Sequence, residues 1–261
     1  MQRWESRSGH VAIERDASLA LIRLDRPDKL NALSIPMLHD LRAALQALGD
    51  DGAEGAIITG SGRAFSAGDD LAATGALGDD EFRELMSAFQ ELTRALVATA
   101  FPVVAALNGI AVGGAAELVL CCDARVGHAG SDFWFPENAI GLTISNASSH
   151  LLPRLLGSRA LPLVLDGDRL SGTRAHALGL IDYFVREPEE VVPRAVAVVR
   201  RWIDRGPATR FHLRLLRPSL QDIEVAIARE SEIGLEAWQS GTARAGIDRY
   251  LAERAARHTG S

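Results

Sequence analysis

Lysine is almost absent from this chain of 261 residues: Lys29 is the only one, and the other long basic side chains are arginines. A contact from this chain to a ligand phosphate by a long cationic side chain therefore falls mostly to arginine. Positive charge is not in excess either, because the formal net charge is −6. Nucleic-acid binding normally requires a basic face, so we expect no nucleic-acid partner.

The sequence also lacks long apolar runs, and it lacks cysteines at a spacing that suits a disulfide bond. The longest apolar runs, residues 101–107 and 118–122, are far shorter than the about 20 residues that cross a bilayer, so we expect no membrane partner. Residues 1–5 contain no apolar segment of the secretory type, which predicts a cytoplasmic protein. Cys121 and Cys122 are adjacent, and adjacent cysteines rarely bridge, so we expect buried free thiols.

Short apolar runs alternate with helical patterns over the first three quarters of the chain, which predicts an α/β fold with right-handed crossovers. The expected strands are residues 19–24, 56–59, 103–107, 124–126 and 183–185, and the expected helices are residues 36–48, 81–98 and 151–165. Three stretches resemble one another: residues 57–70, 104–117 and 126–138. Each has an apolar strand, a turn with glycine, a second short strand and a helix start, which indicates a ββα superhelix.

From residue 191 onward the pattern is helical only, with apolar residues at helical spacing in residues 191–203, 208–216, 223–238 and 243–257. We place a boundary near residue 195, which gives a core of residues 1–195 and a helical region of residues 196–261. We expect this region to pack on a neighbouring subunit. The alternative is that its helices cap their own core.

Two glycines precede an apolar helix that carries a carboxylate. Gly113 and Gly114 follow a predicted strand and turn, and Glu117 comes three residues after Gly114. The first N–H groups of a helix have no backbone partner, and glycine allows a ligand to approach them. Glu117 lies on the same helical face, so a donor and a carboxylate point into one small volume. Tight packing alone would also explain the glycines.

Two further segments have a composition that suits a site. Residues 63–71 form a loop of small residues that can offer a second backbone donor, although Asp69 or Asp70 would also serve as an ordinary helix cap. Glu137 follows Phe135 and Pro136, and an apolar surrounding raises the pKa of a carboxyl group toward the range of a general acid. An ordinary surface loop has the same composition, so neither segment decides the function alone.

The ordered set of motifs resembles the enoyl-CoA hydratase/isomerase (crotonase) superfamily over nearly the whole chain. These motifs are Arg26-Pro-x-x-x-Asn31-Ala-Leu, Phe65-Ser-Ala-Gly68-x-Asp70, Pro102-Val-Val-Ala-Ala-Leu-Asn108-Gly109, Gly113-Gly114-x-x-Glu117-Leu, Pro136-Glu137 and the segment 171–180. The resemblance implies a crotonase-like ββα superhelix with a C-terminal helical oligomerisation region, as a homotrimer or homohexamer. It also implies an acyl-CoA thioester substrate and no metal or redox cofactor.

The resemblance further implies roles for single residues. Glu117 and Glu137 are the catalytic pair, and the backbone N–H groups of Ser66 and Gly114 form the oxyanion hole. The expected substrate-binding residues are Ala67, Gly68, Asp70, Gly113 and Ser145. In hydratases of this type the two glutamates hold a water molecule, which Glu117 activates for attack at Cβ while Glu137 delivers a proton to Cα.

One loop departs from the family pattern. Residues 144–149 read Ile-Ser-Asn-Ala-Ser-Ser where typical hydratases have a Pro-Gly-x-Gly-Gly loop at the acyl end of the pocket. Position 145 is glycine in hydratases and aspartate in some isomerases, and Ser145 is neither. Its hydroxyl group either positions a water molecule or polar acyl group, or caps the following helix. The sequence favours the cap.

Three functions remain to be distinguished at this level. Both glutamates favour a hydro-lyase that adds water to a 2-enoyl-CoA. The altered loop leaves open an enoyl-CoA isomerase, which needs one well-placed base and no bound water. A CoA-binding or scaffolding protein without turnover is the third alternative, and the two glutamates with both oxyanion segments argue against it.

Overall fold

The computed structural model describes residues 2–16, 18–205 and 207–259. The strands in these residues are β1 (Gln2–Glu5), β2 (Val11–Asp16), β3 (Leu19–Leu24), β4 (Gly55–Gly60), β5 (Ala64–Ser66), β6 (Val103–Leu107), β7 (Ile110–Val112), β8 (Ala124–Gly127), β9 (Phe133–Trp134) and β10 (Tyr183–Phe184). The α-helices are α1 (Ile35–Asp50), α2 (Leu71–Thr74), α3 (Asp79–Ala98), α4 (Gly114–Leu120), α5 (Ser148–Leu156), α6 (Ala160–Asp166), α7 (Gly172–Leu178), α8 (Val191–Asp204), α9 (Thr209–Leu216), α10 (Leu220–Gln239) and α11 (Thr242–Thr259).

Two sheets share the strands of the core. The larger sheet has the order β1-β2-β3-β4-β6-β8-β10, and its strands are parallel from β3 onward. The first two pairings, β1 with β2 and β2 with β3, are antiparallel. The smaller sheet contains β5, β7 and β9, which are also parallel. Consecutive strands therefore alternate between the two sheets, from β4 to β9.

This alternation confirms the predicted ββα superhelix. Each turn gives one strand to the larger sheet and the next strand to the smaller one. Asn108 joins neighbouring turns, because its Oδ1 accepts from the Gly60 N–H at 3.1 Å and its Nδ2 donates to the Gly62 oxygen at 2.9 Å. Asn31 holds the same loop through the Ser61 oxygen at 2.9 Å. These two motif residues thus fix the geometry of the turns.

Helices cover both faces of the larger sheet. On one face α1, α3 and α4 contribute to the main core. On the other face α8 packs Val198 and Val199 against β4, β6 and β8. Parallel strands buried on both faces are continuously apolar, and all residues of β4 and β6 are buried. The boundary predicted near residue 195 falls within α8, so this first helix of the tail belongs to the packing of the core.

The last two helices pack on the same chain. Helix α10 lies against α3 and α5, and α11 lies against the short 3-10 turn of residues 137–140. Ile247 of α11 is fully buried in a cluster with Phe82 and Trp238, whose rings stack at 4.1 Å. Helices α10 and α11 thus make contacts of the kind that the second alternative predicts.

One predicted helix is wrong in extent, and the expectation for the two cysteines holds. The chain does not form a single helix over residues 151–165, because α5 ends at Leu156 and Gly157 adopts a left-handed φ of 59°. Cys121 and Cys122 are buried and free, as expected. In the described part of the chain, no helix is both long and apolar enough to cross a membrane.

Candidate active site

The fold brings three carboxylic side chains to one place. Glu117 lies in the first turn of α4, Glu137 opens the 3-10 turn that follows β9, and Asp69 lies just before α2. Asp69 and Glu137 line one cavity of about 70 Å³ together with Gly113. The charges of Asp69 and Glu117 act on Glu137, and that of Asp69 acts on Glu117. The two glutamates predicted as a pair are thus placed as neighbours.

Glu117 is buried and heavily hydrogen-bonded on one oxygen. Its Oε2 accepts from the Ser145 N–H at 3.0 Å, the Ser145 hydroxyl group at 2.7 Å and the Asn146 side-chain amide at 2.8 Å. The residue is 1% exposed. Three donors stabilise the charged form of a carboxyl group, so this arrangement is suited to a carboxylate that acts as a base.

Glu137 has the opposite surroundings. Its side chain is buried, and Oε2 has no hydrogen-bond partner among the described residues. A Cβ atom on Gly113 would lie 2.9 Å from Glu137 Oε1, and Gly113 also has a φ of 53°. Only glycine meets both conditions without strain, because it has no Cβ and tolerates positive φ. Gly113 thus makes the space that Glu137 occupies.

Burial raises the pKa of both glutamates. For Glu117 burial is the largest cause, the charges of Glu230 and Asp69 act in the same direction, and the hydrogen bonds from Ser145 and Asn146 act against it. For Glu137 burial is again the largest cause, followed by the charge of Glu117. Two like charges at short range oppose each other, so the first proton leaves such a pair more easily than the second. We assign the proton that remains to Glu137, because Glu117 has the three donors.

Ser145 is not a helix cap, so the preferred sequence interpretation of this residue is wrong. Helix α5 begins only at Ser148, and Ala147 occupies its N-cap position. Asn146 and Ala147 have left-handed φ angles of 57° and 60°, which turn the loop back toward α4. This turn directs both the N–H and the hydroxyl group of Ser145 at Glu117.

A buried glutamate from the tail holds this loop in place. Glu230 of α10 is 5% exposed and accepts from the N–H groups of Ala147 and Ser149, each at 2.8 Å. Sequence reasoning missed Glu230 and also Asn146. One signal for Glu230 was present: it lies three residues after Ile227 and four before Gly234, so the helical spacing puts a carboxylate on the apolar face of α10.

The loop of residues 66–70 places its predicted residues differently. The Ser66 hydroxyl group donates to the Asn31 oxygen at 2.7 Å and accepts from the Gly68 N–H at 3.1 Å. Asp70 takes the N-cap position of α2, but its carboxylate makes no cap hydrogen bond and instead pairs with Arg26 at 2.9 Å. The expected cap by Asp70 is therefore wrong, and Asp70 anchors the loop.

The backbone of this loop presents one N–H group to the site. Ser66 pairs with Ala111 in the smaller sheet, and the Ala111 N–H donates to the Asp132 oxygen on the other side. In a parallel pair one residue directs both its N–H and its C=O to the neighbouring strand. Because the Ala111 N–H is directed away from β5, Ser66 is the residue of this pair that directs its N–H at the neighbouring strand. The Ser66 N–H is therefore used in the hydrogen bonding of the sheet. The Leu33 N–H donates to the Gly68 oxygen, and the Leu33 oxygen accepts from the Asp70 N–H. Asp69, the residue between them that is opposite Leu33, therefore directs its own N–H away from Leu33.

Two chambers that share part of their lining lie beside Asp69, and the first of them also contains Glu137. The first, of about 70 Å³, contains Glu137 and Ala67, with Trp134 and Tyr250 at its wall. The second, of about 40 Å³, is mainly apolar and contains Met86 and Phe89 of α3. Asp69 and Leu142 line both chambers. The arrangement can hold a small acyl group beside the carboxyl groups of Asp69 and Glu137.

The Ser145 hydroxyl group is expected to set the protonation of Glu117. Its hydrogen bond stabilises the carboxylate, so Ser145→Ala should raise the pKa of Glu117 further. A base with a higher pKa is lost at higher pH, and the acidic limb of the kcat profile should move upward in pH. Stopped assays across pH on this variant and on Ser87→Ala, an exposed position on α3, test this. An unmoved limb would leave the hydroxyl group without a role in the chemistry.

Comparisons with known proteins show the family and the fold. The model of the family described as enoyl-CoA hydratase/isomerase matches residues 14–260. A crotonyl-CoA hydratase from Syntrophomonas wolfei is 32% identical, over 95% of this chain and 96% of that protein. The structure of Pseudomonas aeruginosa OdaA is 31% identical with a TM-score of 0.83, covering 93% and 98%. An enoyl-CoA hydratase structure from Bacillus halodurans has a TM-score of 0.85 at 23% identity, covering 92% and 99%, which supports the fold.

Proposed function

The chain belongs to the enoyl-CoA hydratase/isomerase family, and on this premise we propose that it adds water across the double bond of a 2-enoyl-CoA thioester. One observation carries the proposal: Glu117, whose Oε2 accepts from three donors, lies beside the buried carboxyl group of Glu137, whose Oε2 has no partner among the described residues. An ionised Glu117 and a protonated Glu137 are the two protonation states that a hydration needs. CoA is part of the substrate, and the steps below require no other cofactor.

Negative charge develops on the thioester oxygen during the reaction, so this oxygen binds to the donors of the oxyanion hole. We propose that the Gly114 N–H, at the start of α4, is one donor of the oxyanion hole. The other donor comes from the loop after β5. The sequence prediction assigned it to Ser66. The pairing of Ser66 in the sheet and the direction of the Asp69 N–H favour Asp69 for this role. Gly68 in this loop has a φ of 80°, and a Cβ atom on it would clash with the backbone oxygen of Val112, so this position requires glycine.

The glutamates then divide the proton transfers. Glu117 takes a proton from the bound water as the water oxygen attacks Cβ, and the electron pair of the double bond moves through Cα onto the thioester oxygen. Glu137 gives its proton to Cα as the enolate collapses. The product is a 3-hydroxyacyl-CoA, and a proton passes from Glu117 to Glu137 to restore the starting state. Positioned acid and base groups of this kind each contribute about 10²- to 10⁴-fold.

An isomerase is the second candidate function. Glu137 is suited to it, because its Oε2 has no hydrogen-bond partner among the described residues, and a carboxyl group beside the enolate site can move a proton from one carbon atom to another. Such an enzyme needs no bound water, and Glu117 then has only an electrostatic role. The substrate class and the oxyanion hole are the same for both reactions, so the fate of water distinguishes them.

Heavy-oxygen water is expected to label the product. We expect that incubation of a panel of 2-enoyl-CoA esters with the protein in H₂¹⁸O gives 3-hydroxyacyl-CoA heavier by one oxygen label, as measured by mass spectrometry. A double-bond shift without label would instead support the isomerase. If no ester in the panel is converted, the proposed hydration is wrong and a CoA-binding protein without turnover becomes the better account. The cytoplasmic location inferred from the sequence stays a prediction.

Assembly into trimers, or trimers paired into hexamers, is also proposed. The apolar face of α11 packs on its own chain, so the support comes from elsewhere. Helix α9 exposes Phe211, Leu215 and Leu216, and α6 exposes Leu161, which are apolar surfaces typical of an interface. Light scattering should then give a mass near three or six times 28.0 kDa. A stable monomer at micromolar concentration would contradict this proposal.

A further inference from the structure

Asp69 is a third carboxyl group of the site, with no role in the steps above for its side chain. Its residue forms the bridge to Leu33 that follows β5, in a loop anchored by the ion pair of Asp70 with Arg26. Leu33 is hydrogen-bonded to the backbone of Gly68 and of Asp70, the residues before and after Asp69. The position of the Asp69 backbone is therefore fixed. The position of its side chain is therefore set by the fold.

The carboxyl group of Asp69 is directed inward without a partner. Its Oδ1 is buried and has no hydrogen bond within the described residues. This oxygen would lie 2.8 Å from a Cβ atom on Gly114, and the ring of Phe89 would lie 2.9 Å from the same Cβ atom. Oδ1 is thus held beside Gly114 and near the ring of Phe89. A buried acceptor without a donor is destabilising, so a partner for it is expected in the functional complex.

Asp69 lines both chambers of the site. It lines the first chamber with Gly113 and with Glu137, the proposed proton donor to Cα. It lines the second chamber with Phe89 and Thr143, where the far end of an acyl group would extend. An acyl group that extends over both chambers therefore lies against Asp69. Its carboxyl group faces the part of the substrate beyond the double bond.

We propose that Asp69 selects 2-enoyl-CoA substrates whose acyl chain carries a hydroxyl group beyond Cβ, which donates a hydrogen bond to Oδ1. This inference rests on the proposed hydration. A plain alkyl chain would cover Oδ1 and leave it without a donor, whereas a hydroxyl group satisfies it. A site that is built to bind a substrate hydroxyl group rejects the analogue without it more strongly than an apolar pocket rejects an added group.

The charge of Asp69 is consistent with this acceptor role. Burial raises the pKa of Asp69 to about 6, so the side chain is mostly ionised at neutral pH and accepts hydrogen bonds on both oxygens. Asp69 has no ion-pair partner among the described residues, and its Oδ1 stays unpartnered. Thr74, Thr143 and Ser145 add hydroxyl-bearing side chains to the second chamber, whose remaining wall is largely apolar.

The test compares acyl groups of equal length with and without a hydroxyl group. The substrates are pent-2-enoyl-CoA, 4-hydroxypent-2-enoyl-CoA and 5-hydroxypent-2-enoyl-CoA, and kcat/KM is measured for each. The proteins are the unmodified chain, Asp69→Leu, Asp69→Asn and the control Asp80→Asn, which removes an exposed carboxylate of α3. We expect the unmodified chain and the control to prefer one hydroxylated substrate at least about tenfold, as for a hydrogen bond to a charged group.

The variants should change this preference in different ways. Asp69→Leu has an apolar side chain of similar size, so it should lose the preference and gain activity on pent-2-enoyl-CoA. Asp69→Asn keeps an acceptor oxygen without the charge and should retain part of the preference. A kcat/KM ratio near one in the unmodified chain, or a ratio that Asp69→Leu does not alter, would overturn the inference.

A binding measurement separates this inference from the proposed hydration. Dissociation constants for pentanoyl-CoA and the matching 4-hydroxy and 5-hydroxy esters, from calorimetry on the same four proteins, need no turnover. If no enoyl-CoA is hydrated but a hydroxylated ester binds more tightly and Asp69→Leu removes the difference, the proposed function fails and the role of Asp69 stands. If hydration occurs and binding shows no difference, the role of Asp69 fails alone.

Discussion

Replacing Glu117 or Glu137 by glutamine is expected to lower kcat at least about a hundredfold while the fold is retained. Glutamine has nearly the same shape as glutamate, so Glu117→Gln can keep its oxygen toward Ser145 and Asn146 but has no charge to take a proton from water. Glu137→Gln removes the only proton that we assign to the pair. The measurement is kcat on the best enoyl-CoA, with circular dichroism as the check on folding.

The control for this prediction is Glu84→Gln on the exposed side of α3, which should behave as the unmodified chain. The pH profile adds a second readout. The base is lost as the pH falls through the lower apparent pKa of the pair, and the acid is lost as the pH rises through the upper one. Glu117→Gln removes the charge that raises the pKa of Glu137, so the alkaline limb of its residual activity should move to lower pH. Near-normal activity in either variant would exclude a mechanism with two glutamates.

Glu230→Ala is expected to lower both stability and activity. The variant leaves the N–H groups of Ala147 and Ser149 without their acceptor inside the protein, which typically costs about 1 to 3 kcal/mol for each such group. The loop also has two consecutive residues in left-handed conformation, Asn146 and Ala147, each of which is unfavourable by about 1 to 3 kcal/mol without support. We expect a loss of about 2 to 5 kcal/mol in the free energy of unfolding, measured by urea denaturation.

Activity should follow, because this loop directs Ser145 and Asn146 at Glu117. Below the unfolding transition kcat should fall at least about tenfold, as expected when donors to a charged group are misplaced. Glu230→Gln should be milder, since its amide oxygen can still accept one of the two bonds. Glu232→Ala, exposed on the same helix, controls for helix propensity. If Glu230→Ala is destabilised but turns over normally, the loop does not depend on Glu230 for its active geometry.

Much of the fold follows from local patterns in the sequence. Strand β3 has the bounds predicted from the short apolar run of residues 19–24, and strand β6 coincides with the apolar run of residues 103–107. The three similar stretches correspond to successive turns of the superhelix, because each encodes two strands separated by a tight turn. These features depend on residues that are close in sequence, which is why periodicity and glycine positions are sufficient to find them.

The errors arise where one backbone conformation outweighs the periodicity. Residues 151–165 have helical spacing throughout, yet the left-handed Gly157 separates α5 from α6. Ser145 has the composition of a cap, yet the helix starts three residues later because Asn146 and Ala147 take left-handed angles. Left-handed conformations are rare for residues other than glycine, and no local pattern announces them.

The site was predicted in part for the same reason. Glu117 and Glu137 could be named from motifs, since each lies beside glycine or proline within its own segment. Glu230 acts on a loop that is 83 residues away, and Asn146 contributes a side chain whose direction depends on that loop. The isolated sequence of α10 shows a carboxylate on an apolar face but does not show what it binds. Long-range pairing of this kind requires the folded chain.

The contact of Glu230 with Ala147 also orders the events of synthesis on the ribosome. Chains emerge from the N-terminal end at about 5 to 20 residues per second, and domains fold as their residues become available. The superhelical turns that carry Glu117 and Glu137 are exposed to the cell first. The acceptor for Ala147 and Ser149 follows only when α10 has been made. A nascent chain therefore lacks the acceptor that holds the loop of residues 145–149 until α10 has been made.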